Sequence, residues 1–142
     1  MLKLLIAVDG SDHAKRAIEA VATMVRAAVP LEVTLLNVRE LPVIYGELPV
    51  VSIDEIEMAQ KKAQDNVLAE AEALALACGL KLRGSQRAVG WTAEEIVRVA
   101  NQHGVDQIVL GSHGRGTVGS LFIGSVSQRV VHLSQVPVLL VK

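Results

Sequence analysis

Residues 106–127 read "DQIVLGSHGRGTVGSLFIGSVS". The opening "DQIVL" is a short apolar run with the character of a buried strand, and the stretch after it, 111–127, holds five of the chain's eleven glycines. Ser112, Ser120, Ser125, Ser127, Thr117, His113 and Arg115 are interleaved with them. Glycine directly after a buried strand marks a place where backbone must approach something closely or turn tightly. A helix predicted over roughly 124–133 comes next, and its first-turn amides, flanked by the Ser125 and Ser127 hydroxyls, make a ready anion site. The unit is therefore strand, glycine-rich loop, helix, with the loop at the ligand-binding edge of a sheet.

The same unit recurs along the chain. "LKLLIAV" (2–8) reads as a strand buried on both faces, and Ala14, Ala17, Ile18, Val21, Val25 and Ala28 then repeat at helical spacing, with Ser11 or Asp12 as cap and Pro30 as stop. "LEVTLLNV" (31–38) is a second strand. Ser52 and Glu55 form a capping box for a long helix that presents Ile56, Ala63, Val67, Ala71 and Leu74 and stops at Gly79. "LKLRGSQRAV" (80–89) is a partly exposed strand, Thr92 with Glu95 a second capping box for a helix ending near Gly104, and "VPVLLV" (136–141) a final strand. Five strands alternating with four helices predict one α/β domain over 1–142, a doubly wound parallel sheet with helices on both faces. The continuously apolar strands 2–8 and 106–110 belong near its centre. If the order is 3-2-1-4-5, the winding reverses between them, and Asp9 and Gly111 face each other across the crevice.

Composition narrows the function. Phe122, Trp91 and Tyr45 are the only aromatics, which provides no stacking platform for single-stranded nucleic acid, and a net charge of −1 argues against a generally basic nucleic-acid binder or a membrane-surface protein. No apolar stretch approaches the roughly 20 residues of a membrane span, and the lone Cys78 fits a reducing compartment, so a soluble cytoplasmic protein is expected. Residues 107–142 contain no carboxylate while carrying Arg115, Arg129, Lys142 and two histidines, a local bias toward anions.

Two phosphate motifs are excluded. A P-loop needs a lysine after its second glycine, and no lysine lies between 82 and 141. Gly114, Gly116 and Gly119 match G-x-G-x-x-G but do not open a β-α-β unit. The remaining pattern is Gly111-x2-Gly114-x9-Gly124-Ser125. With this spacing the sequence resembles the nucleotide-binding branch of the universal stress protein family, whose signature is G-x2-G-x9-G-[ST]. "LIAVDGSDHAKRAIEAV", "LLNV", "GWTAEEIV" and "VPVLLVK" extend the resemblance over the whole chain.

The resemblance implies a sheet of order 3-2-1-4-5 with ATP across its first and fourth strands. It implies that Ala7, Val8 and Asp9 border the adenosine and that the Val38 backbone reaches the adenine edge. Gly111, Ser112, His113, Gly114 and Arg115 would line ribose and phosphates, and Gly124, Ser125, Val126 and Ser127 would bind phosphate oxygens. Asp9, or Asp12, would hold Mg²⁺ (or Mn²⁺) with the phosphates, although capping the next helix is an equal use for Asp9; His113 has the alternative of pointing to solvent. A homodimer formed through the last strand, Val136–Val141, is also implied, and that strand's short apolar edge needs cover.

No HExxH, no CxxC and no nucleophile elbow is present, so binding with at most slow hydrolysis is expected ahead of a true ATPase or phosphotransferase. Two other readings stay open: a dimeric interaction module that takes no nucleotide, and a flavodoxin-like carrier for which only Tyr45 or Trp91 offers an aromatic face. The loop "RELPVIYGELPVVS" (39–52), with "ELPV" at 40–43 and again at 47–50, lies on the ligand side as a packed crossover or a lid.

Overall fold

The computed structural model describes residues 1–42, 46, 52–113 and 123–142. Its elements run β1 (Leu2–Ala7), α1 (Asp12–Arg26), β2 (Leu31–Arg39), α2 (Ile53–Ala77), β3 (Leu82–Val89), α3 (Thr92–His103), β4 (Gln107–Gly111), α4 (Ser125–Leu133) and β5 (Val138–Val141). The five strands form one sheet of order β3-β2-β1-β4-β5 in which every pairing is parallel. This is the expected fold.

Strand periodicity sorts the core into two layers. Leu4 and Ile6 of β1 face α1 and α2, packing with Ile18, Val21, Leu68 and Ala75. Leu5, between them in sequence, points the other way and joins Ile96 of α3 and Val130 of α4. Both sides of β1 and β4 are thus covered, which is why those strands read as unbroken apolar runs.

Helix ends obey local chemistry. The Ser11 hydroxyl accepts the Ala14 N–H at 3.2 Å and the Ser52 hydroxyl accepts the Glu55 N–H at 3.1 Å. Gly79 stops α2 at φ 82°, and the Leu80 N–H returns to the Ala75 carbonyl, satisfying a last-turn acceptor.

Four local expectations need correction. Helix α1 ends at Arg26, ahead of Pro30, because Ala28 adopts a left-handed φ of 62° and turns the chain early. Thr92 does not cap α3: Trp91 occupies that position without a side-chain bond, while the Thr92 hydroxyl donates to Glu40 and Glu95 is held by Arg98 at 2.7 Å. The buried stripe of α2 is Gln64, Leu68, Ala71 and Ala75, leaving Ala63 exposed and Val67 and Leu74 only half-buried. Alanines around much of α2 blur its apolar face. The final strand is also shorter than expected, since the Val136 N–H is taken by the Ser134 hydroxyl.

Candidate functional site

Beyond the C-terminal ends of β1 and β4, where the winding reverses, the chain encloses a cleft of about 360 Å³, within the usual range for small-molecule sites. Ala7, Val8, Leu36 and Val38 line one side, with Ile96 and Leu110 adding apolar surface. Its polar groups come from Asp9, Ser11, Thr92, His113, Ser125 and Ser127. A second cleft lies between α1 and α2, lined by Ile18, Val67 and Leu74, but it is largely apolar and lies away from the α4 start.

The turn after β1 is made by Gly10 at φ 82°. It brings one Asp9 carboxylate oxygen to the Ser11 N–H at 2.9 Å, so Asp9 both braces the α1 start and lines the cleft. Val8 is buried, its N–H donating to the Leu36 carbonyl and its own carbonyl accepting the Asn37 amide at 2.7 Å.

On the opposite side, Gly111 has a reason for being glycine that involves no ligand. A Cβ there would stand 2.6 Å from the His13 Cβ and 2.9 Å from the His13 carbonyl carbon. The close approach inferred from sequence is an approach to α1. Ser112 is a buried junction: its N–H donates to the Val141 carbonyl at 2.7 Å, and its carbonyl accepts the Gly124 N–H at 2.7 Å. Its hydroxyl is 2.9 Å from His113 Nδ1. The His113 ring lies 5.0 Å from that of His13, with Nε2 buried and unbonded among the described residues, so it is tucked in rather than turned to solvent. Gly114 and Arg115 lie outside the described residues, as do Tyr45 and the second "ELPV".

Helix α4 opens on Gly124, which caps it without a side chain, and no acidic residue stands in its first turn. The first helical bond of this turn runs from the Gln128 N–H to the Gly124 carbonyl. The amides of Ser125, Val126 and Ser127 precede it and have no intrahelical acceptor, and all three residues line the cleft. The Ser127 hydroxyl is committed elsewhere, donating to the Gly111 carbonyl at 2.9 Å, so this residue offers an anion its amide.

Charge enters the cleft differently from the sequence expectation. Arg129 is spent on Glu94 of α3 at 2.8 Å, and that guanidinium, first through its hydrogen bond, holds the Glu94 carboxyl below its ordinary range. The attraction for anions among the described residues therefore rests on helix-start amides. No group of three or more His, Cys, Asp or Glu side chains suited to a metal occurs among the described residues, and Asp9 is the single carboxylate lining the described cleft. No helix among them is long and apolar enough to cross a membrane.

Two positions that sequence reading passed over stand out. Asn37 and Gln64 are 8% and 5% exposed. Gln64 Nε2 donates to the carbonyls of Asn37 at 2.9 Å and Ala88 at 3.1 Å. The signal was an asparagine inside the apolar run "LLNV", since a buried polar side chain needs a partner.

An open, doubly wound sheet with a helix start at its switch point is the architecture of the α/β domains that bind ligands at that crevice. The sequence model of the Universal stress protein family matches residues 1–142, and the chain belongs to that family. It is 39% identical over 140 residues to a universal stress protein of Thermus aquaticus, covering 98% of this chain and 97% of the relative. Among solved structures it is similar to MJ0577 of Methanocaldococcus jannaschii, with a TM-score of 0.80 at 28% identity over 99% of this chain and 94% of the other. The universal stress protein of Archaeoglobus fulgidus in complex with dAMP gives a TM-score of 0.63 at 25% identity, covering 100% and 98%.

Proposed function

We propose that this protein binds an adenine nucleotide, ATP in the first instance, in the cleft between β1 and β4, and acts as a nucleotide-dependent regulator in stress response. The observation that carries the reading is the set of Ser125, Val126 and Ser127 amides at the switch point, which have no acceptor among the described residues, with Ser112 fixing the start of α4. These amides suit phosphate oxygens, the apolar side suits a base, and a similar structure is a complex with dAMP. Ala7, Val8 and Asp9 then border the nucleoside and Val38 offers backbone to the base. Gly111, Ser112 and His113, with Gly114 and Arg115, line ribose and phosphates.

Asp9 has one oxygen on the Ser11 amide and a second that makes no hydrogen bond among the described residues, which fits a Mg²⁺ (or Mn²⁺) carried mainly by phosphate oxygens and water. When bound, the ion would neutralise phosphate charge. With Asp9 braced against its own turn, binding with at most slow hydrolysis is the reading; a genuine ATPase would turn over repeatedly and lose that turnover in Asp9→Asn. We place the protein in the cytoplasm as one domain over 1–142. We pair it as a homodimer through the Val136–Val141 edge, where all four residues of β5 are half-buried.

Denaturing protein purified without added nucleotide and identifying any small molecule released tests this, together with calorimetry of stripped protein with magnesium and ATP, ADP or AMP. Released or titrated adenine nucleotide supports the reading. No heat and no released nucleotide would replace it with the dimeric interaction module.

A further inference from the structure

The paths of individual hydrogen bonds along β2 point to a specificity device that the site residues above do not include. In a parallel sheet, the backbone groups of alternate residues face alternate neighbours. Pro30 and Leu36 face β1, accepting the Leu2 N–H at 2.9 Å and the Val8 N–H at 2.8 Å. Val33 and Arg39 face β3, through the Lys81 carbonyl at 2.9 Å and the Gly90 N–H at 3.0 Å. Val38 shares the parity of Leu36 and faces the β1 side, at a level where β1 has ended.

One more rung of the ladder would join the Val38 N–H to the Val8 carbonyl. That rung is not made. The Val8 carbonyl accepts the Asn37 carboxamide instead, at 2.7 Å. Neither the Val38 N–H nor its C=O bonds to backbone beyond the end of β1 among the described residues, and Val38 lines the cleft. Gln64 of α2 bonds the Asn37 carbonyl and so fixes the residue whose side chain does the substituting.

From this we infer that Asn37 is a positioning residue for base recognition, with Gln64 behind it; the inference rests on the adenine reading above and deepens it. By occupying the Val8 carbonyl, Asn37 stops the sheet from closing by one rung and leaves Val38 as a donor and acceptor pair at the mouth. An adenine Watson–Crick edge complements that pair, its N1 accepting and its N6 amino group donating. Guanine and hypoxanthine carry the opposite order, O6 accepting and N1–H donating. With the phosphate tail held at α4, each would set donor against donor and acceptor against acceptor.

The test has two arms. Amide hydrogen exchange of nucleotide-free wild type is expected to show Val38 exchanging freely while Leu36 is protected. In Asn37→Ala, the released Val8 carbonyl takes the Val38 N–H, and Val38 gains about tenfold or more protection. In the second arm, AMP affinity falls about tenfold in Asn37→Ala for roughly one hydrogen bond's worth of binding, the AMP to IMP preference narrows, and tripolyphosphate affinity is unchanged. Asn37→Asp keeps the shape and removes the donors, so it behaves as Asn37→Ala in both arms and stands in for it if the alanine variant fails to fold.

A wild-type Val38 amide as protected as Leu36 overturns the inference. So does a folded variant in which AMP and tripolyphosphate weaken together, or in which neither weakens. A wild type with the open Val38 amide that takes no adenine nucleotide overturns the proposed function and leaves the Asn37 geometry standing.

Discussion

Substituting Gly111 by alanine separates two uses of that glycine. The added Cβ would meet the His13 Cβ at 2.6 Å, the His13 carbonyl carbon at 2.9 Å and the Ala14 nitrogen at 3.2 Å. Carbon atoms pack at about 3.5–4.0 Å, so the first contact is roughly 1 Å too short. All three atoms belong to the backbone of α1 or to its first side-chain carbon, and no rotamer change relieves them. The start of α1 must move, at an overpacking cost of about 1–3 kcal/mol.

Alanine also narrows the unfolded ensemble, which offsets about 0.4–1 kcal/mol. The net expectation is a loss of about 1–2 kcal/mol, or a few degrees in Tm for a chain of this size. Urea denaturation of nucleotide-free protein measures it. Gly84→Ala is the control: nothing stands within 4 Å of its added Cβ, and it should be neutral to slightly stabilising. If Gly111→Ala proves as stable as Gly84→Ala, the packing of β4 against α1 described above is wrong, and the glycine serves only an approach to ligand.

Other outcomes rest on single contacts. Gly124→Val places a branched side chain where the α4 amides meet the cleft; calorimetry should show ATP and AMP binding lost while the fold, monitored by circular dichroism, persists. Ser52→Ala removes the bond to the Glu55 N–H and should cost about 1 kcal/mol in urea-measured stability. For Glu94, the folded-state pKa is depressed, so its contribution is present at neutral pH and fades as pH falls through the carboxylate range; Arg129→Gln should flatten that part of the stability–pH curve, and so should high salt. Sedimentation at micromolar concentration should give a dimer, and a charged residue at Leu140 of β5 should give a monomer. A wild-type monomer would remove the edge-pairing reading.

Strand order and the switch point were readable because β1 and β4 are buried on both faces and carry runs that only an inner parallel strand tolerates. Ser11 and Ser52 were readable as caps for an equally local reason. Thr92 was not, because Glu40, far away in sequence, competes for its hydroxyl. The stripe of α2 was blurred by alanines, and what turns it is the pairing of Gln64 with two strand carbonyls, a contact absent from any helical period. Arg129 looked like a free cation until α3 brought Glu94 beside it. Gly111 and Gly124 of the glycine signature line the cleft, but the uses of Gly111 against His13 and of the Ser127 hydroxyl against Gly111 are tertiary.

Ser112 and Ser127 tie the end of β4 and the start of α4 directly to each other, by the Gly124 N–H to Ser112 carbonyl bond and by the Ser127 hydroxyl to Gly111 carbonyl bond. The span between is therefore entered and left at two anchored posts. A shift of the β4 end is handed straight to the first turn of α4, so strand end and helix start move as one piece.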